Sequence, residues 1–256
     1  MLPLKDNIPT RRFPVITVAI IALNVVLYFG WQHGGWATVD DQHLVKYAVI
    51  PYEVTHSGKH CELVGSAETG QVVCEGQEGV SGRAEDQPST WLTLLTSMFM
   101  HGSLIHIAGN MLFLWIFGNN VEDSMGRVKF VFFYLAAGLV ADFAQIATDP
   151  DAAVPTVGAS GAVAGVLGAY ALLHPHARVV TLIFIIFFVT VVELPALLVL
   201  VGWFVLQVLS ASSEPIGGGG VAYFAHIGGF LFGLAAIKLL ADRHRDDYVE
   251  PRLPVY

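Results

Sequence analysis

The sequence predicts an all-α polytopic membrane protein: a single domain over residues 1–256 in which six transmembrane helices form one bundle, with both termini on the cytoplasmic side. Three observations carry that expectation. Hydrophobic residues make up 54% of the chain and charged residues only 13%, whereas soluble domains run to roughly 45–50% and about 25%. Apolar runs near the roughly 20 residues needed to cross a bilayer recur along the chain. The basic residues fall unevenly between alternate connections, and no Pro/Ser-rich or charged linker divides the spans into independent halves.

Six runs qualify as spans, at about 14–31, 103–120, 128–147, 157–173, 192–210 and 222–241. The first follows basic residues, as in a signal peptide, but it is long for such an element and no small-x-small cleavage site follows it, so it reads as a span. Segment 179–191 is also apolar, yet its roughly 13 residues are too few to cross alone and it runs into Glu193-Leu194-Pro195. It is expected to be an interfacial or hairpin-like element on the inner side. Six spans place Lys5, Arg11, Arg12, Arg127, Lys129, Arg178, Lys238, Arg243, Arg245 and Arg252 inside and only Lys46, Lys59 and Arg83 outside, which fixes the orientation. Trp31, Trp36 and Trp91 flank spans where an aromatic belt would lie.

The net charge of -8 argues against a nucleic-acid partner, which would need clustered Lys and Arg. The outer connection, residues 32–90, is acidic and Gly-rich and holds both cysteines, Cys61 and Cys74. An outward loop is where a disulfide persists, so a Cys61–Cys74 bridge is expected there, the alternative being two unrelated thiols.

Candidate chemistry gathers at three span starts that enter from outside. Ser160 opens the fourth span within Gly158-Ala159-Ser160-Gly161-Ala162. His226 lies a turn into the sixth, in Ala225-His226-Ile227-Gly228-Gly229, and His106 and Asn110 lie one turn into the second, four apart and so on one helix face. Splitting residues 179–210 into two spans would instead put Ser160 and His226 on opposite sides. A serine among glycines is by itself most simply a helix-packing residue, but an ionisable group inside a span is costly and generally marks function. Gly161-x-x-x-Gly165 and Gly229-x-x-x-Gly233 offer the fourth and sixth helices matching smooth faces, which would bring Ser160 and His226 within hydrogen-bond reach. A hydroxyl needs a neighbouring base to become a nucleophile, and neutral imidazole serves near pH 7. The oxyanion of acyl transfer needs donors, for which the Ser160 backbone N–H, Asn110 and His106 are candidates. No H-E-x-x-H occurs, and His101 and His106 lie five apart on different helix faces, so no metal or other cofactor is expected.

These residues resemble the rhomboid intramembrane serine proteases. The resemblance covers about residues 90–240 and rests on His106-x-x-x-Asn110, Gly158-Ala159-Ser160-Gly161 and Ala225-His226-x-x-Gly229-x-x-x-Gly233. It implies a Ser160–His226 dyad, an oxyanion hole of His106, Asn110 and backbone amides, and hydrolysis of a peptide bond within or beside a substrate's transmembrane helix, with Gly158, Gly161 and Gly229 expected to bind substrate or support the site. The implied partners are transmembrane substrates and the lipid bilayer; the protein is expected to be multi-pass in a bacterial inner membrane, an organelle membrane being the alternative. Two departures stand out. The family's Trp-Arg ahead of the second span reads Trp91-Leu92-Thr93 here, and an aromatic found in some members one turn after the serine, on which the histidine packs, is Ala164.

Asp142, in the outer half of the third span, is an alternative third member of a triad, which the resemblance disfavours. Glu122 and Asp123, near Arg127, and Glu193, beside Pro195, read as structural. The fifth span and Gly217–Gly220 are expected to form a lateral gate and a cap that admit substrate. The competing functions are a silent relative that binds transmembrane helices, which would characteristically lack the serine or the histidine, and a transporter, which would carry a repeat that the span pattern lacks.

Overall fold

The computed structural model describes residues 2–32, 41–65, 70–80, 82, 84, 88–185, 188–213 and 220–242. Trp36, Arg83, residues 217–219 of the expected cap, and Arg243, Arg245 and Arg252 lie outside them. In chain order the elements are β1 (Leu2–Asp6), α1 (Val15–Gly30), α2 (Asp41–Tyr47), α3 (Pro51–Thr55), β2 (Cys61–Val64), β3 (Gln71–Cys74), α4 (Thr90–Thr96), α5 (Leu104–Phe113), α6 (Asn119–Met125), α7 (Arg127–Ile146), α8 (Ser160–Leu173), β4 (Arg178–Ile185), β5 (Phe188–Pro195), α9 (Ala196–Ser213) and α10 (Tyr223–Leu240). A π turn, Leu114–Gly118, joins α5 and α6 into one rod.

Among the described residues, four helices are long and apolar enough to cross a bilayer: Leu104–Met125, Arg127–Ile146, Ala196–Ser213 and Tyr223–Leu240. Val15–Gly30 and Ser160–Leu173 are apolar but shorter, at 16 and 14 residues. For α8 the reason is visible in its packing. Twelve of its residues are buried, so protein rather than lipid surrounds it, and a helix about 21 Å long suffices where a lipid-facing one would need about 30 Å.

The helices α7, α8 and α10 meet through backbone. A Cβ on Gly229 would lie 2.1 Å from the Gly161 carbonyl oxygen, and one on Gly233 1.9 Å from that of Gly165. Gly161 and Gly165 turn their own empty side toward α7, where a Cβ would meet those of Ala141 at 2.5 Å and Ala137 at 2.6 Å. The smooth face of α8 therefore serves two neighbours at once, with Gly168 adding a third close approach to α10, 2.1 Å from the Phe230 carbonyl oxygen. Such approaches are the use of small residues in lipid, where dispersion and not water drives helix association.

The all-α expectation is corrected by two sheets. Segment 178–195 is an antiparallel hairpin, β4–β5, and β1 pairs antiparallel with β4, giving the order β1-β4-β5. The hairpin-like reading of 179–191 had the shape right but was too short, and the fifth helix begins at Ala196 rather than 192 because Phe188–Pro195 is strand. Val, Ile, Thr and Phe dominate this stretch and favour the pleated state, and β1 contributes the third strand, a pairing that no local pattern announces. Pro195 closes β5, and Ala196 N donates to Ala177 O at 2.7 Å as α9 starts.

Glu122 and Asp123 do hold structure, at the start of α1. Pro14 leaves that helix without a capping side chain of its own. Glu122 accepts from Ile16 N at 3.1 Å and from Thr17 N and Oγ1 at 2.8 Å each, and Asp123 accepts from Arg11 N at 3.2 Å. Ile16 N and Thr17 N are orphan donors of the α1 start satisfied from another helix, while the Arg11 contact holds the segment that precedes it. Glu193 pairs with Arg178 at 3.8 Å on the surface, a geometry that contributes little.

On the opposite end, β2 and β3 form a hairpin in which Cys61 and Cys74 are direct partners joined by a disulfide. Glu53 accepts from Cys61 N, and burial pushes its carboxyl above the ordinary range against the lowering by that bond. This lobe rests on the connection before α8: Val49 bridges Thr156, Tyr52 N donates to Ala152 O at 3.1 Å, and Thr55 Oγ1 donates to Pro150 O at 2.7 Å.

Candidate active site

Ser160 is the first residue of α8, so its N–H has no acceptor within the helix. The chain reaches it through Gly158 at φ +133°, a conformation open to glycine. Space gives a second reason for glycine: a Cβ there would stand 2.7 Å from His106 Cε1, 2.8 Å from Nε2 and 3.4 Å from Ser160 Oγ. The His106 ring and the Ser160 hydroxyl thus both border the space left open at Gly158. Gly158 N is tied down by Ser97 O at 2.9 Å.

His106 and Asn110 lie on one face of α5, whose start is capped by Ser103 Oγ accepting from His106 N at 3.1 Å. Asn110 is buried, and among the described residues its Nδ2 has no hydrogen-bond partner. A buried unpaired donor costs stability, and this one belongs to a side chain lining the cavity, where a developing negative charge would satisfy it.

His226 is in the first turn of α10, whose start is steadied by Gln145 Oε1 accepting from Ala225 N at 3.2 Å. Its Nδ1 lies 2.7 Å from Gln207 Oε1, and its ring lies 5.6 Å from that of Trp203. Both partners belong to α9. Asp142 makes no such contact: its Oδ2 is buried without a partner among the described residues, so the place of a third member beside Nδ1 is taken by an amide. The aromatic neighbour absent at Ala164 is supplied instead from the next helix.

Ser160, His226, His106, Asn110, Trp203 and Gln145 line one cavity of about 540 Å³. Its rim includes residues 154–157 and 220–222, from the connections that precede α8 and α10. Gly161 and Gly229 stand behind the site in the α8–α10 contact rather than in the cavity wall. Among the described residues no group of three or more His, Cys, Asp or Glu could hold a metal ion.

A family profile for the Rhomboid domain matches residues 88–243, more than half of the 256. The chain belongs to the rhomboid family. Among similar proteins, Rhomboid protease GluP of Bacillus subtilis is 38% identical over 105 residues, covering 41% of this chain and 20% of that protein. Rhomboid protein 1, mitochondrial, of Saccharomyces cerevisiae is 29% identical over 159 residues, 59% of this chain and 42% of the relative. Presenilin-associated rhomboid-like protein, mitochondrial, of Homo sapiens is 29% identical over 152 residues, 55% and 36% respectively. This rhomboid thus spans under half the length of those relatives and is a multi-pass membrane protein. A bacterial inner membrane is not singled out, because two of the three are mitochondrial by name.

Sequence reasoning missed Gln207 and Trp203. The available signal was a glutamine in a helix that is otherwise apolar up to Ser210, on one stripe with Ala196, Leu200 and Trp203 at spacings of four, three and four.

Proposed function

We propose that this rhomboid is an intramembrane serine endopeptidase, with Ser160 as nucleophile and His226 as general base, cutting transmembrane or juxtamembrane segments of other membrane proteins. One observation carries the reading: four side chains from three helices, of the types that acyl transfer needs, line a single cavity. His226 Nε2 removes the Ser160 Oγ proton as the oxygen attacks the scissile carbonyl carbon. The resulting oxyanion is met by the Ser160 N–H, Asn110 Nδ2 and the His106 ring. Collapse breaks the C–N bond, with the proton passing from His226 to the leaving amine. Water enters past the 154–157 and 220–222 rim, is deprotonated by His226 and releases the acyl group, restoring both residues.

In the proposed topology α1, the α5–α6 rod, α7, α8, α9 and α10 are the six spans, with the β1-β4-β5 sheet inside and the disulfide lobe outside. Segregation of the connections supports it. Those counted as inner touch one another, as in Asn7 N to Arg178 O at 3.0 Å and Asp242 N to Ser124 O at 2.9 Å, and those counted as outer do likewise, as in Val49 with Thr156.

The test is cleavage of a generic transmembrane substrate in proteoliposomes, together with labelling by a fluorophosphonate. Wild type is expected to cleave and label; Ser160→Ala and His226→Ala should each lower cleavage by about 10⁴-fold or more and abolish labelling. Cleavage retained by both variants would sink the mechanism, and binding of the substrate without cleavage by wild type would favour the silent helix binder.

A further inference from the structure

Helix α9 touches the bundle lightly. Ala196 and Leu200 are its buried residues, and Leu198, Val205, Leu206 and Leu209 are exposed. Its inward stripe continues from those two anchors through Trp203 to Gln207, spacings that return to one helix face. At the end of the stripe stand the contacts to the imidazole, the Gln207 Oε1 to His226 Nδ1 distance of 2.7 Å and the Trp203 ring at 5.6 Å. A glutamine among lipid-facing leucines and valines is costly unless its amide is used, and here it meets a histidine.

We infer that Gln207 is the positioning residue of the base: its amide oxygen accepts from the His226 Nδ1–H, which fixes the ring and leaves Nε2 as the basic nitrogen, so that α9 must be seated against α10 for proton transfer. The inference rests on the Ser160–His226 reading above and deepens it. The proton on Nδ1 is assigned from the acceptor beside it. An amide oxygen can do for this ring what a buried carboxylate does elsewhere, which is to select the tautomer and the orientation. It adds no charge. The physical consequence is a link between entry and chemistry, because any outward excursion of α9 that widens the cavity also withdraws the acceptor from His226. The expected lateral gate is therefore restricted to opening before the chemical step and closing for it.

The experiment uses the full chain in proteoliposomes with the transmembrane substrate, reading kcat, KM and the pH dependence of kcat/KM. Gln207→Leu removes the acceptor and should lower kcat about tenfold or more, the size expected for losing one orienting hydrogen bond, with KM within about twofold. Gln207→Glu can accept but not donate. It should retain cleavage at high pH while its carboxylate favours the imidazolium and moves the acidic limb of the profile upward by about one pH unit. Gln207→Leu with wild-type kcat and pH profile would overturn the inference, as would loss of activity by Gln207→Glu at every pH, which would mean that the amide donates to Nδ1. Equal losses in both variants together with a lowered melting temperature would reduce Gln207 to a packing residue and overturn it too. Ser160→Ala, run beside them, separates the two levels: if it cleaves like wild type the dyad itself is wrong, whereas an inactive Ser160→Ala beside an unaltered Gln207→Leu refutes this inference alone.

Discussion

The α8–α10 contact and helix α9 flank the same cavity and are built in opposite ways. Between α8 and α10 the backbones touch, with no room for a methyl group at Gly229 or Gly233. Along α9 one stripe of side chains makes the contact, and Gly202 has nothing within 4 Å of a built Cβ. The first arrangement fixes the relative position of Ser160 and His226 through rigid elements. The second leaves most of the helix surface outside the bundle. Under the proposed function, in which a transmembrane segment enters and Ser160 and His226 face one cavity, dividing those tasks between two kinds of packing is an advantage.

The largest effect is expected in the glycine contact. Gly233→Val places atoms where Gly165 O already stands 1.9 Å from the Cβ position, and backbone cannot yield as a side chain can. A loss of about 3 kcal/mol or more, or failure to accumulate folded protein, is expected in detergent unfolding. Near-wild-type stability would show that α8 and α10 slide apart easily and would erase the contrast with α9.

Asn110→Ala tests the fixed side of the site chemically. Because Nδ2 has no partner among the described residues, stability should be unchanged or slightly higher, while kcat falls by about 10²–10³-fold. Equal activity would remove Asn110 from the oxyanion hole.

Asp6 ties the sheet that leads into α9 to the rigid helices. Its Oδ2 accepts from Tyr170 OH on α8 at 2.6 Å and from Asn120 Nδ2 on α6 at 2.7 Å. Burial, the largest cause, pushes its carboxyl up to about 6 from 3.8, against the lowering by the Tyr170 bond. A folded value above the unfolded one means that this group stabilises most below about 4 and that the contribution is lost as pH rises through about 6. The window is worth on the order of 2–3 kcal/mol. Thermal unfolding of wild type between those pH values should show the decline and Asp6→Asn should flatten it; parallel curves would refute the assignment.

The smallest effect is expected on α9. Gly202→Ala, with open space around it, should be neutral or stabilising by under about 1 kcal/mol through helix propensity. A destabilisation comparable to that of Gly233→Val would show that α9 is packed as tightly as α10.

Much of this was legible in the chain. The length of the apolar runs gives the helices to within about five residues at each end, and Ser160, His226, His106 and Asn110 stand out because polar groups are costly in spans and because all four fall near span starts that the loop charges assign to one side. The hairpin-like reading of 179–191 has the right shape, with β4 and β5 paired over Arg178–Pro195, but the third strand, β1, lies about 175 residues away in sequence and no local pattern announces it. Gln207 was passed over for a related reason. A polar residue on a helix face declares itself only when the partner on another helix is known.

The sequence by itself therefore determined the solvent, since composition decides between lipid and water, and it determined the chemical types present at the site. Tertiary structure alone decided which groups meet: that Gly161 and Gly165 face α7 while Gly229 and Gly233 press on α8, that an amide rather than Asp142 stands at Nδ1, and that β1 completes the sheet. Period and hydropathy are properties of one segment, whereas contact is a property of two, and the pairing of segments is set by the packing of the whole bundle.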